Sequence, residues 1–280
     1  MPHFISGNAA LAGVLGWPVS HSRSPLLHNF WLNRYGIDGA YVPLSVAPED
    51  FPAAVQGLRV MGFRGANVTI PHKEAAFALC DELDDAARQA GAVNTLVFTE
   101  DGVQGTNTDG AGFVANLRAH GVPLGPALVL GAGGAARAIA AALLALGVEV
   151  KVTNRGGARA EALARFLPGL KALAWDERAT ALADFALLVN TTPVGMYGGA
   201  APVSLAWAPA RLVVADAVYV PLVTPLLADA AARGLRTVGG LGMLLHQAVP
   251  GFAAWFGVTP EVDDEVVALM RQGIPSIPAA

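Results

Sequence analysis

Apolar and polar positions along this chain switch repeatedly between short continuous runs and helical spacing. LAGVLG (11–16) reads as a strand ending at Gly16. SPLLHNFWLNRYG (24–36) has helical spacing, with Ser24 as N-cap, Pro25 in the first turn and Gly36 as the stop. A strand follows over 39–46, a helix over 48–62, a strand over 65–70 stopped by Pro71, and a helix over 72–83. Residues 92–110 predict a hairpin turning at Asp101-Gly102, then a loop. The run GPALVLGAGGAARAIAAALLALGVEVKVTNR (125–155) predicts strand, glycine turn, helix, strand. Further strands at 184–192 and 210–219 continue a parallel-sheet rhythm, and 242–257 closes with a helix. The class is α/β, with a division in or near the helix 111–121.

Composition narrows the picture. A chain of 280 residues suits two modest domains, and 54% hydrophobic against 14% charged residues supplies a sizeable core. Mean hydropathy of +0.47 raises the question of a membrane. The longest apolar stretch, 138–148, is about half the length of a spanning helix, so it reads as buried. The N-terminus lacks the basic start of a signal peptide, and a cytoplasmic protein is the expectation. A net charge of −4 without a basic run gives no nucleic-acid footprint. A lone cysteine, Cys80, reads as a small core residue on a helix. The histidines at 3, 21, 28, 72, 120 and 246 have no ligand spacing, so no metal is expected.

The glycine turn carries the first chemistry. GAGGAA (131–136) follows the buried strand ALVL and opens a helix. Gly131 permits the tight turn, Gly133 lets a pyrophosphate approach the backbone, and Ala136 lets the helix pack closely on the sheet. A dinucleotide fold for NAD places an acid about 20 residues on. Here the strand ends with Asn154 and Arg155, and Arg159 lies one turn further. Guanidinium groups pair with a 2′-phosphate, which an acid would repel, so NADP is favoured.

Four other segments end apolar runs with hydroxyl, amide or charged groups: SHSRSP (20–25), NVTIPHK (67–73), GAVNT (91–95) and NTDG (107–110). Such groups converging at strand ends suit a polyhydroxylated ligand with a carboxylate. Each also has a local reading as a cap or turn former. With GAGGAAR, NR, NTTPVGM and GLGMLLHQA following in order, the chain resembles the shikimate dehydrogenases over nearly its whole length.

That resemblance implies NADPH-dependent reduction of 3-dehydroshikimate to shikimate in aromatic amino-acid biosynthesis. It implies an N-terminal α/β substrate domain (1–115), a Rossmann-type doubly wound NADP domain (116–241) and C-terminal helices (242–280) packing back on the first. Lys73 and Asp109 become the catalytic pair. Ser22 and Ser24 bind the substrate carboxylate with Tyr219 nearby, and Thr69, Asn94, Asp109 and Gln247 hold ring hydroxyls. Gly131, Ala132, Gly133, Gly134 and Ala135 take the pyrophosphate. Asn154, Arg155 and Arg159 take the 2′-phosphate, Gly240 lies near the nicotinamide, and Asp85 is a cofactor-side contact. The chain departs from the family at Gly156, where a threonine is usual, and at Gly239, where an aspartate is usual. A quinate or dual quinate/shikimate dehydrogenase is the enzymatic alternative, and a non-catalytic ligand-binding paralogue the alternative from another class. A folate dehydrogenase lacks support from HSRSP and NTDG. A homodimer is left open, since the sequence is silent on assembly.

Overall fold

The computed structural model describes residues 5–196 and 199–276. His3 lies outside the described residues. The chain divides into two compact units, Met1–Thr108 with Gln247–Met270, and Asp109–His246 with Arg271–Ala280.

The first unit begins with β1 (Ala10–Gly16), α1 (Ser24–Arg34), β2 (Gly39–Ser45), α2 (Phe51–Val60) and β3 (Gly65–Val68). It continues through α3 (Lys73–Leu79), β4 (Glu82–Leu83), α4 (Asp85–Ala90), β5 (Thr95–Phe98) and β6 (Val103–Thr106). The six strands form one sheet in the order β2-β1-β3-β5-β6-β4. β1 pairs in parallel with β2 and β3, while β5 is antiparallel to both β3 and β6. Leu15, Phe51, Val68, Val93 and Leu96 are among the side chains filling the core on one side.

Two expectations change here. Ser24 is the first helical residue of α1 and the N-cap position is Arg23, with no side-chain cap bond. Ser24 is buried at the start of that helix. The helix expected over 72–83 stops at Leu79, because Cys80 turns extended (φ −74°, ψ 136°) to feed β4. A second helix then starts, capped by Asp84, whose carboxylate accepts the Ala87 N–H at 2.7 Å. Cys80 is therefore a helix C-cap; its thiol donates to the Ala76 carbonyl, and burial pushes it up to about 12.

The second unit contains α5 (Asp109–Ala119), β7 (Ala127–Leu130), α6 (Gly134–Ala145), β8 (Val150–Thr153), α7 (Gly157–Phe166) and β9 (Lys171–Ala172). β10 (Leu187–Asn190), β11 (Val213–Asp216), α8 (Pro225–Ala232) and β12 (Arg236–Val238) complete the sheet region. Its order is β12-β11-β10-β7-β8-β9, parallel throughout. Counted within the unit this is 3-2-1-4-5-6, the doubly wound dinucleotide order, with its switch point between β7 and β10. Successive side chains of a strand face opposite ways. Ala127 and Val129 accordingly join the core under α5 and α6, while Leu128 and Leu130 join the other core with Leu188 and Val214. The remaining helices are α9 (Leu241–Phe256), which runs from the second unit into the first, and α10 (Asp264–Arg271).

Candidate functional site

In the first unit the polar groups gather where strands end. Ser22 lies in the segment between β1 and α1 and Ser24 opens α1, with the Ser24 N–H donating to Ser22 Oγ at 3.3 Å. Thr69, one residue past β3, is held by its N–H to the Leu15 carbonyl at 2.9 Å, and its side chain is half-buried. The Ile70–Pro71 peptide is cis, and α3 begins two residues later with half-buried Lys73. The Lys73 carbonyl accepts the Val93 N–H at 3.0 Å, tying α3 to the residue before Asn94. His72, unassigned from the sequence, is buried; its ring stacks on Phe51 at 4.5 Å and Nε2 lies 2.9 Å from the Val46 carbonyl. Its role is to pack the start of α3.

Asn94 is the centre of a buried cluster. Its amide donates to Thr108 Oγ1 at 2.9 Å and to Gln247 Oε1 at 3.3 Å. Its Oδ1 accepts from Thr95 Oγ1 at 3.0 Å and the Thr108 N–H at 2.9 Å. Thr108 Oγ1 donates to the Gln247 carbonyl at 2.8 Å. The expected residues Asn94 and Gln247, 153 positions apart, are thus brought together. Asn67, Thr95 and Thr108 join them; all three lie in the polar segments singled out from the sequence, although none was named as a site residue. Asp85 is exposed, at the first position of α4.

In the second unit Asp109 is the first residue of α5 and is 7% exposed. Gly131 follows β7 with φ +110°, where a Cβ would lie 2.5 Å from Thr191 Oγ1. Gly133 is the N-cap of the 12-residue helix α6, and nothing lies within 4 Å of where its Cβ would be. That open cradle at a helix N-terminus, with Ala132, Gly134 and Ala135 beside it, fits a pyrophosphate. Asn154 donates to the Gly156 carbonyl at 3.1 Å, shaping the turn after β8, and Arg155 and Arg159 are exposed beside it. An exposed pair of guanidinium groups there fits a 2′-phosphate.

Half-buried Tyr219 lies beyond β11 on a loop anchored by groups that sequence reading missed. Asp216 accepts from Asn190 Nδ2 at 2.9 Å, Thr224 Oγ1 at 2.7 Å and the Val218 N–H at 3.0 Å. Burial pushes its carboxyl up to about 6, and these three donors hold the rise back. Gly240 is buried against the carbonyls of Ala217 and Val218. Asn116 of α5 donates to the Gly239 carbonyl at 3.0 Å. The aspartate usual at position 239 is therefore not what holds this loop; a backbone carbonyl and a distant amide do so.

Residues 14–96 match the family model described as the shikimate dehydrogenase substrate binding domain, and residues 240–264 the shikimate 5'-dehydrogenase C-terminal domain. The chain is 66% identical over 263 residues to the NADP(+) shikimate dehydrogenase of Acidiphilium cryptum, covering 93% of this chain and 95% of the relative. It is 58% identical to that of Paramagnetospirillum magneticum, covering 95% and 99%. The crystal structure of shikimate 5-dehydrogenase from Thermus thermophilus in complex with NADP(H) and shikimate superposes with a TM-score of 0.85 at 41% identity, covering 93% of this chain and 97% of that one.

Proposed function

The chain belongs to the shikimate dehydrogenase family, and from that premise we propose that it is an NADP-dependent oxidoreductase interconverting 3-dehydroshikimate and shikimate in the shikimate pathway. Kinship carries the reaction. The buried Asn94–Thr108–Gln247 cluster is the observation that carries the substrate side, because it offers fixed amide and hydroxyl groups to a hydroxylated ring.

Gly131 to Ala135 would hold the cofactor's pyrophosphate, Asn154, Arg155 and Arg159 its 2′-phosphate, and Gly240 its nicotinamide end; Asp85 is a further cofactor-side contact. Bound NADPH supplies a hydride to the ketone carbon. The protein supplies the rest. Ser22 and Ser24, with Tyr219, hold the carboxylate, while Thr69, Asn94, Asp109 and Gln247 hold the hydroxyls, removing orientational entropy before reaction. Lys73 would donate a proton to the ketone oxygen as negative charge grows there. Asp109 is assigned as the second member of the catalytic pair, a carboxylate able to accept a proton in the oxidative direction. The substrate domain is assigned to 1–115, the NADP domain to 116–241 and the returning helices to 242–280, in a cytoplasmic enzyme.

Side-by-side assays of NADP+-linked oxidation of shikimate and quinate test the reading, in the wild type and in Lys73→Ala. Shikimate oxidation is expected in the wild type, with turnover lowered ~10²–10⁴-fold in Lys73→Ala while NADPH binding persists. A wild type that oxidises quinate in preference refutes the substrate assignment. Near-normal turnover in Lys73→Ala refutes the catalytic one.

A further inference from the structure

Asn190 and Asp216 are the last residues of β10 and β11, paired in register and both buried. Each side chain shapes the chain that leaves its own strand. Asn190 Oδ1 accepts the Thr192 N–H at 3.0 Å and the Thr192 hydroxyl at 2.7 Å, and its amide donates to the Val194 carbonyl at 3.3 Å. Asp216 Oδ1 accepts the Val218 N–H at 3.0 Å. Asp216 Oδ2 accepts the hydroxyl of Thr224, whose oxygen also caps α8 by accepting the Leu227 N–H. Side-chain bonds to the backbone two residues on fix a turn. One more bond, Asn190 Nδ2 to Asp216 Oδ1 at 2.9 Å, joins the two turns.

Both turns flank groups assigned to the cofactor. The first passes Thr191, whose hydroxyl lies 2.5 Å from where a Gly131 Cβ would be and donates to the Leu130 carbonyl at the end of β7. The second sets the Ala217 and Val218 carbonyls against Gly240. Strand carboxyl ends at the switch point of a doubly wound sheet are where such a fold takes its ligand.

We propose that Asn190 and Asp216 are a positioning pair for the nicotinamide end of the cofactor: their bond holds the loop beside Gly131 and the loop beside Gly240 in one fixed relation. The proposal rests on the functional reading above. Backbone pairing carries the register as far as the Ala217 N–H on the Asn190 carbonyl, at 2.8 Å. Beyond it the side-chain bond takes over, in a buried setting where an amide-to-carboxylate bond is strong. Asparagine at 216 keeps the arrangement. Its oxygen accepts from Asn190 and Val218, and its NH2 faces the Thr224 hydroxyl, which has acceptor capacity. Alanine at either position removes the bond.

The test compares calorimetric binding of NADPH with that of adenosine 2′,5′-bisphosphate, which has the phosphorylated adenosine end and no nicotinamide. Wild type, Asn190→Ala, Asp216→Ala, the double alanine variant and Asp216→Asn are measured, with melting temperatures alongside. Each single alanine variant is expected to raise Kd for NADPH about tenfold and to leave Kd for the bisphosphate within about twofold. The double variant is expected to lie within about twofold of either single one, because both remove the same bond. Asp216→Asn is expected to bind NADPH within about threefold of wild type. A merely structural pair would lower the melting temperature and weaken both ligands alike. Unchanged NADPH affinity in Asn190→Ala, equal losses for the two ligands, fully additive losses, or Asp216→Asn as weak as Asp216→Ala overturns the proposal. Should Asp216→Ala fail to fold, Asn190→Ala and Asp216→Asn still decide it. A wild type that binds no NADPH would instead overturn the functional reading, so the two failures are distinct.

Discussion

His28 should make the first unit acid-sensitive, by an amount the structure allows to be worked out. The side chain is fully buried and neither ring nitrogen has a hydrogen-bond partner. It lies against Tyr41, with Trp31 and Trp255 each 5.7 Å away and Phe252 at 5.9 Å, so four aromatic rings pack around it. Burial without a compensating acceptor drives it from its ordinary 6.5 down to about 3. Folded, it stays neutral; unfolded, it takes a proton below 6.5. The contribution is fully present above 6.5 and is lost as pH falls toward 3. Between pH 7 and pH 5 the loss is about 2 kcal/mol, since each pH unit below the unfolded value is worth about 1.4 kcal/mol. Trp17, Trp31 and Trp255 belong to the first unit, and Trp175 and Trp207 to the second. Urea unfolding followed by fluorescence in a Trp175→Phe/Trp207→Phe background therefore reports the first unit alone. His28→Leu in that background should be less stable at pH 7 if packing suffers, but its stability should fall by about 2 kcal/mol less between pH 7 and pH 5. Parallel pH profiles with and without His28 would refute the reasoning, because every other titrating group is common to both chains.

Asp216 should act in the opposite sense in the second unit. Its folded value, raised to about 6, means the folded state binds the proton first, so stability rises as pH falls through 6 toward 3.8. Trp175 and Trp207 fluorescence should show a gain of about 1 kcal/mol from pH 7 to pH 5, abolished in Asp216→Asn; a pH-independent wild type would sink this. Arg155→Ala should lower the preference for NADPH over NADH, judged by kcat/KM, by about tenfold or more, as loss of a charge-assisted pair to phosphate would. A wild-type preference for NADH would refute the phosphate assignment. Gly242→Ala would place a Cβ 1.9 Å from Asn116 Oδ1, so Asn116 must move and release the Gly239 carbonyl. The expected result is a second unit destabilised by about 1–3 kcal/mol, with Asn116→Ala in the same chain restoring much of it; no rescue would count against the contact.

Much of the sheet architecture was legible because several buried parallel strands appear as short apolar runs. β7 (ALVL), β10 (LLV) and β11 (VVA) contain such runs, whereas β8 alternates as VKVT and was placed by its position after the glycine turn and helix. β9 and β12, two and three residues long, are too short for any period to show, and they take their form from pairing with β8 and β11. The break at Cys80 was hidden because HKEAAFALCDEL has helical spacing throughout; pairing of β4 with β6 overrides that local preference. Within the site, the glycine turn and the polar strand ends announce themselves by composition. Tyr41 does not. In GAYVPLSV it is an inward-facing residue of an ordinary strand, and its partner Asn67 is 26 positions downstream. Thr108 lies in the marked segment NTDG, but its partner Gln247 arrives from 139 positions away, so the pairing was not legible.

The two units solve their binding problems by different physics. In the first, donors and acceptors are already matched: the path from Tyr41 through Asn67, Thr95, Asn94 and Thr108 to Gln247 passes each proton to a defined acceptor. Such a network resists reorientation, so the ring hydroxyls of the proposed substrate would meet groups whose geometry is set beforehand. Hydrogen bonds of this kind discriminate by position, because a misplaced hydroxyl leaves a buried partner unmatched. In the second, the groups assigned to the cofactor are an open backbone cradle at Gly133 and two exposed arginines. A phosphate brings its own charge, and attraction to guanidinium and a helix N-terminus tolerates looser geometry. Substitutions in the first unit's network should therefore change which ring is accepted. Those at Arg155 and Arg159 should change which nucleotide is accepted and how strongly that choice depends on salt.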